Sequence, residues 1–183
     1  GGDGYLSEIK DPRVSYVSMK HNGTLPVRCA LEGISAAKGD YLLLIDDCVL
    51  ATRPFFVNLM KTLNNGKATD AMVAKTISIS RTIIEAGATT PNGDGLSRRG
   101  YGAKVNDPAF NYTCTVDSGS GFAMVVRREA WEDVGGFDPN LDTLQASLID
   151  LGIRLTSNGY KIMYQPDCVL VANSVGFGKT ATE

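Results

Sequence analysis

Apolar positions in this 183-residue chain recur in two rhythms, and their alternation predicts the architecture. Tyr41-Leu42-Leu43-Leu44-Ile45 is a continuous apolar run, the mark of a strand buried on both faces of a parallel sheet. Before it, Val27, Ala30, Leu31 and Ile34 fall at helical spacing within Val27 to Ala37, and Lys38-Gly39-Asp40 stops that helix. Pro54 opens a second helix to Leu63, proline being tolerated in the first turn. Ser147 to Asn158 is an amphipathic helix carrying Leu148, Leu151, Ile153 and Leu155, ended by Gly159. Further strands are predicted over Arg13 to Met19, Ala71 to Ser80, Phe122 to Val126, Lys161 to Gln165 and Cys168 to Ala172. Tyr5 to Ile9 reads as a helix end, Asn22-Gly23 as a turn, and Arg128 to Val134 as a short helix closed by Gly135-Gly136. Glu85 to Asp107, rich in Gly, Asn, Asp and Arg, reads as a long loop of the kind that is usually functional or mobile. Helices alternating with strands predict a three-layer α/β domain with a mostly parallel central sheet, one domain spanning residues 1–183.

The candidate chemistry sits at the end of the central strand, where Asp46-Asp47-Cys48 follows Ile45. Ligands of such sheets bind beyond the carboxyl ends of the strands. Two hard oxygen donors there suit Mg²⁺ or Mn²⁺ held against a substrate phosphate. The same pair also reads as a polar turn with Asp47 capping a helix. Asp117-Ser118-Gly119-Ser120-Gly121 reads either as a backbone loop lining a sugar or as a turn needing glycine. Arg98 and Arg99 read as phosphate contacts or as solvated loop residues, and Asp150 is spaced to pair with Arg154 four residues on.

Composition narrows the classes. Hydrophobic content of 43% and charged content of 21% mark an ordinary globule, and a net charge of -2 gives no electrostatic case for nucleic acid. Cys29, Cys48, Cys114 and Cys168 form no CxxC pair, so a structural zinc site is not expected. Cys48 and Cys168 read as small core residues, and the lone His21 as a loop residue. No basic-plus-apolar leader opens the sequence, so a reduced, cytoplasmic setting is expected.

Several segments, in order, resemble an inverting family 2 glycosyltransferase of the GT-A fold. They are Asn22-Gly23, Ala36-Ala37-Lys38-Gly39-Asp40-Tyr41 and Asp46-Asp47 in the first half. Ser120-Gly121-Phe122-Ala123, Val126-Arg127-Arg128, Gly135-Gly136-Phe137-Asp138, Asp150 to Leu155, Gly159-Tyr160 and Tyr164-Gln165-Pro166 stand in the second. Ile84-Glu85-Ala86-Gly87, Asp94-Gly95 and Tyr101-Gly102 are similar to a subgroup acting on bacterial surface polysaccharides. The resemblance implies transfer of a sugar from a nucleotide-diphosphate sugar to a glycan or other hydroxyl acceptor. Asp46 and Asp47 would meet the diphosphate and its metal, Asp3 the nucleotide base, and Asp117, Gly121 and Asp138 would line the acceptor. The resemblance also implies a setting at the inner face of a membrane for some members.

This sequence departs from the family at its chemical positions. The metal-binding third residue of the acidic motif is Cys48, and a thiol suits these hard cations poorly. The positions of the catalytic base are Ser147 and Leu148, leaving Asp150 as the nearest carboxylate. Asn173 stands where a histidine is often found and Leu31 where an asparagine is expected. The family's first strand has no counterpart here, which implies an exposed sheet edge open to a second copy or a partner chain. Three functional expectations result: a transferase, a degenerate member that binds without transfer, or a fragment of a larger enzyme that carries the first strand.

Overall fold

The computed structural model describes residues 8–17, 26–64, 69–90, 95–119 and 121–172. Its helices are α1 (Pro26–Ala36), α2 (Arg53–Asn64), α3 (Arg128–Asp133) and α4 (Leu144–Ser157). Its strands are β1 (Tyr41–Ile45), β2 (Val49–Ala51), β3 (Ala71–Ile77), β4 (Ile83–Glu85), β5 (Ala88–Thr89), β6 (Ser97–Arg98), β7 (Cys114–Val116), β8 (Ala123–Arg127) and β9 (Ile162–Ala172). The main sheet runs β1-β8-β3-β9-β2, with β4 beside β3 and β7 beside β9.

Three layers form because the sheet is apolar on both faces. On one face Leu42, Leu44, Val73 and Val126 pack with Val27 and Ile34 of α1, Trp131 of α3 and Leu148, Leu151 and Leu155 of α4. On the other, Met72, Ala74, Val125 and Leu170 pack with Phe55 and Leu59 of α2. The α/β layering agrees with the sequence; the strand directions are mixed. β3 and β9 run parallel, while β8 is inserted antiparallel to both β1 and β3, and β2, β4 and β7 are also antiparallel to their neighbours. Burial on both faces makes β8 read like a parallel strand, but burial reports coverage by helices and not direction.

Three predicted elements change form. Lys161 to Gln165 and Cys168 to Ala172 join into the single strand β9. The ladder skips from Ala74↔Gln165 to Lys75↔Val169, so Pro166, which has no N–H to give, lies in an irregularity where none is required. The stretch from Glu85 to Asp107 holds the small antiparallel pair β5 and β6. Arg99, one residue past β6, fastens this stretch to the sheet. Its guanidinium lies 5.2, 5.0 and 5.2 Å from the ring centres of Phe110, Tyr112 and Tyr164, and it donates to the carbonyls of Ala86 and Ala109. Buried Lys75 adds a second tie, donating to Asn111 Oδ1. Arg98, read as an alternative phosphate contact, sits in β6. The strand expected over Arg13 to Met19 is not formed over its described part, Arg13 to Val17, where Val14, Tyr16 and Val17 are exposed.

Candidate functional site

The acidic tip is a tight turn. The ladder between β1 and β8 runs one residue past Ile45, with the Asp46 amide donating to the Phe122 carbonyl at 2.8 Å. Asp46 Oδ1 then accepts from the Cys48 amide at 2.9 Å, which bends the chain into β2. Asp46 and Cys48 are half-buried and Asp47 is exposed. Asp47 does not cap a helix, since α2 begins only at Arg53. Burial pushes the Cys48 thiol up to about 12, helped by its hydrogen bond to Asp46 and the charges of Asp46 and Asp47. Near neutral pH this position therefore presents a protonated thiol rather than a thiolate ligand.

Beside the tip lies the loop from Asp117 to Phe122. Ser118 is fully buried, its Oγ 2.9 Å from the Gly119 carbonyl and 3.3 Å from that of Ile149 in α4. Gly152 of α4 lies directly beneath, where a β-carbon would come within 2.4 Å of Ser118 Oγ. Gly121, at φ +109°, abuts Gln145 so closely that a β-carbon would lie 2.7 Å from the Gln145 Cα. Gln145 and Gly152 thus define the face of α4 that supports the loop. Thr143 positions this helix, its Oγ1 accepting from the Ala146 amide at 3.1 Å, so the helix starts at Leu144, before the predicted Ser147.

The remaining candidates are anchored elsewhere. Asp117 Oδ2 accepts from the amide and hydroxyl of Thr90 at 2.7 and 3.0 Å, tying the loop to the strand before it. Asp138 Oδ1 accepts from the Asn140 amide and side chain, both at 2.9 Å, which closes a turn. Asp150 Oδ2 accepts from Arg154 at 2.6 and 2.9 Å, as the i,i+4 spacing predicts. Arg154 continues to the Val134 and Gly136 carbonyls, each at 2.6 Å. At about 100° per residue, Asp150 lies roughly 140° round the helix from Gln145, away from the loop face. Ser147 is buried and donates to the Thr143 carbonyl at 3.0 Å, and Leu148 is in the core. Asp46, Asp47 and Gly121 therefore gather around the β1 tip, whereas Asp150 and Asp138 are held by their own local partners. Asp3, Ser120, Asp94, His21 and Asn173 lie outside the described residues.

One carboxylate, named in the sequence only within Ile84-Glu85-Ala86-Gly87 and at the head of the long loop, was given no role. Glu85, at the end of β4, is 2% exposed, and a β-carbon on Gly119 would lie 3.5 Å from its Oε1. It is a buried acid under the site loop. The available signal was its place in Ile83-Ile84-Glu85, where the burial pattern of a strand alternates and Ile83 and Glu85 share a face.

Among the described residues no three His, Cys, Asp or Glu side chains cluster as a metal site. The Asp46–Asp47 pair fits the other common arrangement for Mg²⁺, in which one or two carboxylates share the ion with substrate phosphates. No helix of the described residues is long and apolar enough to cross a membrane.

The fold is that of the GT-A glycosyltransferases. The structure of GalNAc-T7 with UDP, GalNAc and Mn²⁺ superposes with a TM-score of 0.59 at 12% identity, covering 81% of this chain and 30% of that one. The mannosyltransferase PcManGT from Pyrobaculum calidifontis, in complex with GDP-Man and Mn²⁺, superposes with a TM-score of 0.50 at 16% identity, covering 90% of this chain and 40% of that one. This chain thus spans less than half the length of either. No family model matches the sequence, and no curated protein matches it.

Proposed function

We propose that the β1 tip is the donor-diphosphate site of a nucleotide-sugar glycosyltransferase-like protein of family 2 type. The observation that carries this reading is the placement of Asp46 and Asp47 at the carboxyl end of β1, beside Gly121 and the Phe122 carbonyl, in a GT-A fold. A divalent cation held there by Asp46 and Asp47 would neutralise charge on the leaving diphosphate. The chain's own contribution is positional: the turn fixes Asp46 through the Cys48 amide, and α4 sets the height of the glycine loop over the tip. The acceptor in this reading is a surface-polysaccharide hydroxyl, attacked with inversion, by a cytoplasmic protein working peripherally at a membrane.

A second reading, binding without transfer, is favoured by one specific observation. Ser147 and Leu148 are buried, and Asp150 is held by Arg154 on the face of α4 away from the loop. None of the three presents a carboxylate to an acceptor bound at the β1 tip.

Calorimetric titration of UDP, GDP and dTDP, with and without Mn²⁺, tests the donor site. Metal-dependent binding of one nucleotide, weakened at least tenfold by Asp46→Asn, is expected. Asparagine keeps an oxygen for the Cys48 amide, so that variant removes charge and preserves the turn. Absence of binding to all three nucleotides would overturn the reading. Given binding, a transfer assay with the matching nucleotide sugars separates enzyme from binding protein.

A further inference from the structure

Glu85 is a carboxylate that the proposed donor site leaves unused. It ends β4, is buried, and is engaged by a partner in the structure. Burial of a carboxylate is costly unless hydrogen bonds or charges hold it, so its position is a fixed one.

That position follows from how the sheet divides. β9 follows one edge of β3 throughout, so β8 and β4 share the other. β8 pairs with β3 from Ala71↔Val126 to Val73↔Met124, and β4 joins further along, at Thr76↔Glu85. The chain leading into β8 crosses this junction at Gly119, where a β-carbon would lie 2.7 Å from Val73 Cγ1 and 3.5 Å from Glu85 Oε1. Glu85 Oε1 therefore lies on the side of Gly119 where a side chain would point, and only glycine lets the chain sit this low over it.

Further ties join the same two segments. The Ala88 amide donates to the Ser118 carbonyl at 2.7 Å, and the Asp117 and Ser118 amides donate to the Ala88 carbonyl at 2.9 and 3.2 Å. Asp117 also accepts from the amide and hydroxyl of Thr90. Glu85-Ala86-Gly87-Ala88-Thr89-Thr90 is thus the bed on which Asp117 to Gly119 rest, and Glu85 is its single ionisable residue. The same chain continues to Gly121 and to the Phe122 carbonyl, which receives the Asp46 amide.

We infer that Glu85 is a positioning residue of the donor site. Its carboxylate fixes the height of Gly119, and through Gly119 it sets Gly121 and Phe122 against Asp46. The inference rests on the donor reading of the β1 tip. Such a constellation must hold its geometry to within about 0.5 Å, which a buried charged group under the chain can enforce. Glu85 touches no ligand in this assignment, and it acts on affinity through the chain above it.

Glu85→Gln keeps the shape of the side chain while removing its charge and one acceptor oxygen. Ile83→Val is the control, because Ile83 is buried on the same face of β4 and lies away from Gly119. Both are compared with the parent by titration of UDP, GDP and dTDP with Mn²⁺, and by amide exchange. Glu85→Gln is expected to weaken binding of the nucleotide that the parent takes about tenfold, the scale of one hydrogen bond to a charged group. Exchange of the Asp117 and Ser118 amides is expected to quicken about tenfold relative to the amides of β8, which marks local release rather than global loss of stability. Ile83→Val is expected to change neither. Glu85→Asp, which keeps the charge and draws the oxygens back by one methylene, carries the same expectations and serves where glutamine prevents folding. Parental nucleotide affinity in the Glu85 variants would overturn the inference and leave the donor reading standing. So would an equal loss of affinity in Ile83→Val, or unchanged exchange at Asp117 and Ser118. A parent that binds none of the three nucleotides would overturn the donor reading, and the role of Glu85 with it.

Discussion

Replacing Gly121 by alanine tests the packing that places the glycine loop over the acidic tip. Gly121 sits at φ +109°, and a β-carbon there would lie 2.5, 2.9 and 2.7 Å from Cγ, Cβ and Cα of Gln145. The Cγ could swing away, but the Cα belongs to the first turn of α4, whose start is fixed by the Thr143 cap. Relief therefore requires movement of the helix or the loop. Two costs add. An L-residue forced into positive φ loses about 1–2 kcal/mol, and overpacking a close-packed site loses about 1–3 kcal/mol. The sum is about 2–5 kcal/mol. For a chain of this size each kcal/mol lowers the melting temperature by about 2–4 °C. Gly159→Ala is the control, because Gly159 has φ +84° with nothing within 4 Å of a β-carbon, so it carries the backbone cost alone. Urea unfolding of both variants, with nucleotide titration alongside, gives the two contributions separately. The reasoning is refuted if Gly121→Ala is no less stable than Gly159→Ala.

Two other outcomes are expected on the same physical grounds. Arg99→Leu removes the cation from among Phe110, Tyr112 and Tyr164 and its bonds to the Ala86 and Ala109 carbonyls, and is expected to cost about 1–3 kcal/mol in urea unfolding while leaving nucleotide affinity unchanged. Stability is also expected to fall in alkali: the Cys48 and Cys168 thiols are pushed from 9.0 to about 12, mainly by burial, so the unfolded chain loses these protons first, and the contribution present below pH 9 is lost as pH rises toward 12; denaturation as a function of pH should show this slope, and Cys168→Ala should reduce it.

That Tyr41 to Ile45 forms a strand ending in two aspartates was legible because it is written in consecutive residues. The pairing of Asp150 with Arg154 was legible for the same reason, since helical geometry alone brings them together. The strand's expected place at the centre of a parallel sheet, buried on both faces, was not: among the described residues β1 ends the strand order, pairs antiparallel with β8 and buries only Leu42 and Leu44. The direction of β8 was not legible, because its burial pattern is common to parallel strands and to antiparallel strands covered on both faces. β9 read as two strands because Pro166 is a local stop signal, and only the neighbouring strand β3 shows that the ladder steps around it. The role of Asp117 lay in Thr90, 27 residues earlier, and no local pattern encodes that bond. The segment from Arg13 to Val17 alternates as a strand should, yet a strand needs a partner edge, and none of the described strands pairs with it.

The two halves of the site differ in how their polar groups are used, and this difference bears on function more directly than the fold does. At the β1 tip, Asp47 is exposed, and the Asp46 carboxylate accepts from the Cys48 amide of its own turn while its backbone amide holds to Phe122. A ligand arriving there can gain charge-assisted contacts while the turn survives. At α4 the polar groups are already committed: Ser147 to the Thr143 carbonyl, Asp150 to Arg154, and through Arg154 to the Val134 and Gly136 carbonyls. Recruiting Asp150 as a base would break a chain of bonds that closes the Gly135-Gly136 turn and would also require rotation round the helix. In the proposed reading, loss of a base at α4 leaves the β1 tip unchanged, because the tip draws none of its geometry from Asp150. Arg154→Gln separates the two readings. If Asp150 is a structural partner alone, nucleotide affinity stays as in the parent and stability falls: the one-third-exposed ion pair contributes about 0–1 kcal/mol, and each bond to the Val134 and Gly136 carbonyls that glutamine does not replace adds about 1.5–3 kcal/mol. If Asp150 works in transfer, freeing it from Arg154 changes the rate and its pH profile without changing nucleotide affinity.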